Sequence, residues 1–174
     1  SNNNLYFDFK RYINSSDYLL SNNNAQFIFI NGFNLFNKEL INRIESLNIN
    51  SNIVIFPNSD EDSFNVFSKY INDSSLLDIT TNNLNKDTYI EINLESIFNP
   101  VFYNIFKTNN IKISNYYSSD SKSNTLISLK NNDFFLNKYS YKGNNFYIFS
   151  VPLDLKSSDL TIRGAFLPLL NKII

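Results

Sequence analysis

The pattern that most narrows the choice of fold lies between Gln26 and Pro57, where two apolar runs flank a segment of helical periodicity. Gln26-Phe27-Ile28-Phe29-Ile30 is a continuous run of aromatic and β-branched residues, which suits a strand covered on both faces. It stops at Asn31-Gly32. Leu40, Ile41, Ile44 and Leu47 then recur at spacings that place them on one side of a helix from Asn37 to Leu47. Ile53-Val54-Ile55-Phe56 reads as a second buried strand, ended by Pro57. Strand, helix and strand in this order form a βαβ unit, whose strands run parallel and are joined by a right-handed crossover. The expected fold class is therefore α/β.

The rest of the chain supplies further elements. Leu5 to Phe9 alternates as an edge strand does, and Ser16 to Leu20 reads as a short helical turn. Ser59-Asp60-Glu61-Asp62 has the composition of a helix N-terminus, with Phe64, Phe67 and Ile71 on one face behind it. Leu76 to Ile79 and Tyr89 to Asn93 are short strand candidates, followed by a helical turn from Ile97 to Phe106 that Pro100 interrupts. Thr125–Leu129, Phe134–Tyr141 and Phe146–Val151 form a β-meander in the C-terminal half, with a hairpin turn signalled by Gly143-Asn144. A helix from Arg163 to Lys172 closes the chain.

Composition excludes more chemistry than it suggests. The 174 residues contain no His and no Cys, so there is no thiol nucleophile, imidazole base, Ser-His-Asp triad or His/Cys zinc site. Hydrophobic content of 43% is ordinary for a globular protein, and the abundant Asn sits between well-patterned apolar runs, which argues against a disordered Asn-rich tract. Such a load of Asn, Ile, Phe, Tyr and Lys, with few Ala and Gly, is what A/T-rich codons produce. One domain spanning 1–174 is expected, able to bury a core without disulfide or metal. The net charge is -1 and the basic residues are spread, so no nucleic-acid partner is expected. Acids dominate residues 59–95 and lysines dominate 107–142, which reads either as two solvated faces or as an oriented docking surface. No apolar run is long enough to span a membrane and no signal peptide opens the chain. A chain starting Ser1-Asn2 and lacking Met altogether reads as a soluble fragment of a longer protein.

The C-terminal segments carry a resemblance. Phe146-Tyr147-Ile148-Phe149-Ser150-Val151-Pro152-Leu153-Asp154, then Ser157-Ser158-Asp159-Leu160, then Ala165-Phe166-Leu167-Pro168-Leu169-Leu170, resemble the end of a domain in aerotolerance-type (Bat-like) membrane proteins of the Bacteroidetes. Phe27 to Gly32, Ile53 to Pro57 and the block from Ile97 to Phe106 resemble its earlier parts. The chain departs from that pattern at Asn50-Ser51-Asn52, where the family has Gly-Gly; Asn tolerates the left-handed conformation that a helix C-cap needs. The resemblance implies a three-layer αβα sheet, flavodoxin-like and related to class I glutamine amidotransferases. Those enzymes use a Cys nucleophile on a sharp strand-to-helix turn with His and Glu partners. Here the matching strand end is Phe56-Pro57-Asn58-Ser59 or, on another alignment, Ile30-Asn31-Gly32, and neither Cys nor His exists to fill the roles. The resemblance also implies a membrane-anchored full-length protein with this domain on the periplasmic side of the cytoplasmic membrane, its anchor supplied by segments outside this sequence.

Several polar groupings are candidate sites. Asp154, Ser157, Ser158 and Asp159 follow a buried strand near where open α/β sheets place ligands, and Asn31 ends another, so these five are the ligand-binding candidates. The same Asp and Ser side chains are also what a tight loop needs to satisfy its own amides. Asp60-Glu61-Asp62 lacks the alternation, glycine and terminal glutamate of an EF-hand loop, so no metal is expected there. Tyr116, Tyr117, Tyr139, Tyr141 and Tyr147 could form an aromatic platform or simply pack across strands. Phe98, Phe102 and Phe106 recur at helical spacing as core, or else as a partner-facing groove. Three scattered glycines make no P-loop or dinucleotide fingerprint, so no cofactor is expected.

These readings lead to an expected role as a non-catalytic interaction or scaffolding module, with protein partners or other domains of its own full-length chain. The alternative is a domain that binds a small polar ligand or glycan through the 154–159 loop and nearby Tyr side chains. An unconventional Ser, Lys, Asp or Tyr hydrolase is a third class, with no residue in a recognisable activating context.

Overall fold

A computed structural model describes residues 10–12, 15–19, 25–32, 37–46, 50–59, 81–85, 89–119 and 124–173. The strand expected at 5–9, the helix expected beyond Ser59 and the strand expected at 76–79 lie outside the described residues.

The βαβ unit is present. After a short helix α1 (Ser15–Leu19), strand β1 (Phe27–Asn31), helix α2 (Lys38–Glu45) and strand β2 (Asn52–Phe56) follow in order, and β1 and β2 pair in parallel from Phe27 opposite Asn52 to Asn31 opposite Phe56. Helix α2 begins where the sequence supplies a cap: the Asn37 side-chain oxygen accepts from the Leu40 amide at 2.9 Å, satisfying one of the donors a helix N-terminus leaves open.

Strands β3 (Thr81–Asn85) and β4 (Tyr116–Ser119) form a separate antiparallel pair. Between them lie a 3-10 turn (Leu94–Ser96) and helix α3 (Pro100–Thr108). Pro100, expected from its residue type to interrupt this helix, opens it instead. Asn99 caps the Val101 amide at 2.9 Å, and proline in the first turn lacks only an N–H that would have had no helical partner. Tyr89 to Asn93 is not a regular strand: Ile90 and Ile92 make single bridges to Ile113 and Leu129.

The meander is present as β5 (Thr125–Ser128), β6 (Phe134–Tyr141) and β7 (Asn144–Phe149), and helix α4 (Phe166–Ile173) ends the fold three residues later than Arg163, the start expected from sequence. Lys142 and Gly143 both have positive φ, 46° and 81°, the two-residue turn whose twist matches that of the flanking strands. The main sheet runs β1-β2-β7-β6-β5, with β1, β2 and β7 parallel and β7, β6 and β5 antiparallel. The fold is thus α/β, with a mixed open five-stranded sheet and flanking helices.

Strand β7 belongs to both halves of the molecule. It pairs with β2 on one side and β6 on the other, and Ser51 donates its amide to Asn144 Oδ1 across 93 residues of sequence. Alternation along β2 and β7 divides the core. Ile53, Ile55, Phe146 and Ile148 pack with Tyr18, Leu40 and Ile44 of α1 and α2, while Val54, Phe56, Tyr147 and Phe149 pack with Phe102, Phe106, Leu169 and Ile173 of α3 and α4. Both strands are covered on both faces, which is why their sequences read as unbroken apolar runs.

Candidate functional site

Because β1, β2 and β7 are parallel neighbours, their carboxyl ends open at one edge of the sheet. The chain leaves each strand through a short polar or proline-containing turn, and Asn31, Gly32, Pro57, Asn58, Ser59, Pro152, Leu153 and Asp154 line a cleft of about 220 Å³ there. Open α/β sheets place ligands at this position.

The lining of the cleft is held by hydrogen bonds from neighbouring elements. The Gly32 amide donates to the Phe56 carbonyl at 2.9 Å, extending the strand pairing one residue beyond β1, and Gly32 takes a φ of 118° that glycine adopts without steric cost. The fully buried Tyr117 donates its hydroxyl to the Asn58 carbonyl at 2.9 Å, tying the turn after β2 to the second sheet. Below, Phe56 stacks on Phe149 and meets Phe29 and Phe166 edge-on or tilted.

The structure separates the five sequence candidates. Asn31 and Asp154 line the same cleft; Ser157, Ser158 and Asp159 do not. Both carboxylate oxygens of Asp154 are engaged by its own loop: Oδ1 accepts from the amides of Lys156 at 3.0 Å and Ser157 at 2.8 Å, and Oδ2 accepts from the Ser157 hydroxyl at 3.0 Å. Ser157 is buried, and its carbonyl accepts from the amides of Ser114 and Asn115. Ser158 is buried beside Ile113 in a single bridge. Asp159 accepts from the Lys112 amide at 2.8 Å and pairs with Arg163 Nε at 2.8 Å. The loop therefore spends its polar side chains on its own turn and on fastening the C-terminal segment to residues 112–115, as short Asp and Ser side chains commonly do.

Other sequence groupings also resolve. Tyr116, Tyr117, Tyr139 and Tyr147 are buried in the two core clusters and Tyr141 packs half-buried against one of them, so they form no open platform. Phe102 and Phe106 are core, whereas Phe98 is 94% exposed, because it precedes the cap at Asn99 and so never joins the helix face. Asp60, Glu61 and Asp62 lie outside the described residues; among the described residues no group of three acidic side chains could hold a metal ion. No described helix is long and apolar enough to cross a membrane.

A larger hollow of about 370 Å³ lies at the far end of α3, lined in part by Glu91, Glu95, Lys107, Asn110 and Lys130. Two of its charges are already paired. Lys130 pairs with Glu91, and Asn110 donates to the same carboxylate at 2.7 Å; these two hydrogen bonds hold the Glu91 carboxyl below its ordinary pKa. The cleft at the strand ends is thus smaller, but it is the one that the topology builds.

In the sequence, Pro57, Asn58 and Ser59 figure as the strand end matching the amidotransferase nucleophile turn, and Pro152 and Leu153 fall within the resemblance; none is among the ligand-binding candidates. They lie just beyond the ends of β2 at Phe56 and β7 at Phe149, and that was the available signal; what the sequence lacked was the adjacency of β2 and β7. Compared with known protein families, curated proteins and solved structures, the chain matches none.

Proposed function

We propose that this chain is a non-catalytic interaction or scaffolding module: a single three-layer αβα domain of flavodoxin-like type, resembling the class I glutamine amidotransferase-like domain of Bat-type membrane proteins. Its partners are other domains of its own full-length chain or separate proteins, on the periplasmic side of the cytoplasmic membrane. The three-layer reading is supported by the two core clusters, one on each face of β2 and β7.

One observation carries the non-catalytic reading. The cleft at the strand ends is lined by amides, prolines, a leucine and one hydroxyl, that of Ser59, and its carboxylate, Asp154, is already satisfied by its own loop. Covalent catalysis needs a nucleophile within reach of a base that a third group orients, and the described lining contains no such pair. Two measurements test this. Ammonia release from glutamine should stay at background; release that Ser59→Ala abolishes would overturn the reading. Cross-linking on the full-length protein in membranes should join exposed lysines such as Lys130 and Lys156 to sites outside residues 1–174, and cross-links confined within them would count against a scaffolding role.

The polar lining by Asn31, Asn58 and Ser59 favours a second reading, a site for a small polar ligand or glycan. A ligand at 100 times its Kd stabilises the fold by about 2.7 kcal/mol, so thermal-shift measurements with sugars, peptides and divalent metals discriminate. No shift in any of them would remove this alternative.

A further inference from the structure

Asn31-Gly32 is the only Asn-Gly pair in the sequence, and the fold places it in the lining of the cleft, Asn31 exposed and Gly32 buried. An asparagine followed by glycine is chemically labile because glycine has no Cβ to obstruct its own backbone nitrogen. That nitrogen attacks the asparagine Cγ. Ammonia leaves, a five-membered succinimide forms, and water opens the ring to aspartate or isoaspartate.

Two features oppose the attack here. The attacking nitrogen is occupied, since the Gly32 amide donates to the Phe56 carbonyl at 2.9 Å and must lose that bond before its proton can leave. Asn31 is also the last paired residue of β1, opposite Phe56, and a paired strand holds the backbone extended while ring closure requires rotation between Asn31 Cα and its carbonyl carbon.

We infer that Asn31-Gly32 is a latent deamidation site that the pairing of β1 with β2 keeps in the amide form, so that opening of this strand end releases it to react. Either product adds a carboxylate to the cleft that Asp154 also lines, and the isoaspartate form adds a backbone methylene at the point where β1 leaves the sheet. The modification would therefore record past opening of the strand ends.

Peptide mapping by mass spectrometry tests this on the purified chain, incubated at mildly alkaline pH with and without guanidinium chloride. Asn31 should convert at least about tenfold more slowly in the folded protein, the factor that an opening free energy of ~1.4 kcal/mol imposes. Equal rates in the two conditions would overturn the protection, and no conversion in denaturant would overturn the site itself. Hydrogen exchange separates the cause: the Gly32 amide should be protected along with β1, and an unprotected Gly32 beside an intact Asn31 would show that the pairing is not what guards it.

Discussion

Phe56 and Phe149 lie face to face, ring centroids 4.1 Å apart and planes 8° from parallel, at the point where β2 and β7 reach the cleft. Both side chains are fully buried, and Phe135 meets Phe149 edge-on at 5.5 Å. The stack joins the last residue of the βαβ unit to the last strand of the meander. Replacing Phe149 with Ala removes the ring and leaves a cavity among buried neighbours, a change that costs about 3–5 kcal/mol. Urea denaturation should show this loss as a lower midpoint with an unchanged slope; a loss under about 1 kcal/mol would mean that the site collapses around the gap.

Gly143 turns the chain between β6 and β7 with φ of 81°, and a Cβ added there would sit 2.8 Å from Asn50 Oδ1. Gly143→Ala therefore meets both left-handed strain and a side-chain clash. The strain alone amounts to about 1–2 kcal/mol, and the clash is partly relieved because Asn50 is an exposed side chain that can move. Chemical denaturation of the variant checks the total, and a neutral result would show that the hairpin adopts another turn.

Local features of this fold were legible where one segment contains its own signal. The periodicity of 26–57 contains the βαβ unit, and the alternation with Gly143 contains the β6–β7 hairpin. The partnership of β2 with β7 was not legible, because neither strand's sequence names the other; the bonds that join them span about half the chain, as from Ser51 to Asn144. Strand β3 reads Thr-Asn-Asn-Leu-Asn, with one apolar residue and no alternation, so pattern could not find it. In the candidate site the residue types of the 154–159 loop suit either turn or ligand chemistry. Asp154 finds its donors within the loop, whereas those of Asp159 Oδ1 and the Ser157 carbonyl come from Lys112 and Ser114 on a distant segment.

Tyr117 is buried, and its hydroxyl reaches the Asn58 carbonyl. Tyr117→Phe keeps the ring and deletes this bond, so it should cost about 0.5–1.5 kcal/mol. Its sharper consequence is local. The amides of Asn58 and Ser59 should exchange faster while those of β6 do not, and a uniform change across both would show that the bond supports the whole fold rather than this turn.

Glu91 offers a pH-dependent test. Hydrogen bonds from Lys130 and Asn110 lower its pKa in the folded state, so the stability it contributes is present above the unfolded glutamate value and lost as pH falls through the folded one. Lys130 is largely exposed, which limits the pair to about 1 kcal/mol or less. The stability difference between the natural chain and Glu91→Gln should be positive near neutral pH and vanish under acid conditions. A difference that does not change with pH would assign the effect to packing.

Asp154 decides between a carboxylate kept for the loop and one kept for a ligand. It accepts from the Lys156 amide, the Ser157 amide and the Ser157 hydroxyl, and Ser157 is buried. Asp154→Ala leaves those donors without their acceptor, and a buried donor so abandoned costs about 1–3 kcal/mol. Asp154→Asn retains one side-chain oxygen and should cost less, the order Ala then Asn being the signature of an Asx-type turn. Binding carboxylates generally sit where their removal leaves stability unchanged or improves it, since function rather than folding holds them in place. Urea midpoints of the two variants therefore separate the readings. Destabilisation in that order supports a structural aspartate at the edge of the cleft, and an Asp154→Ala chain as stable as the natural one would transfer the residue to ligand binding.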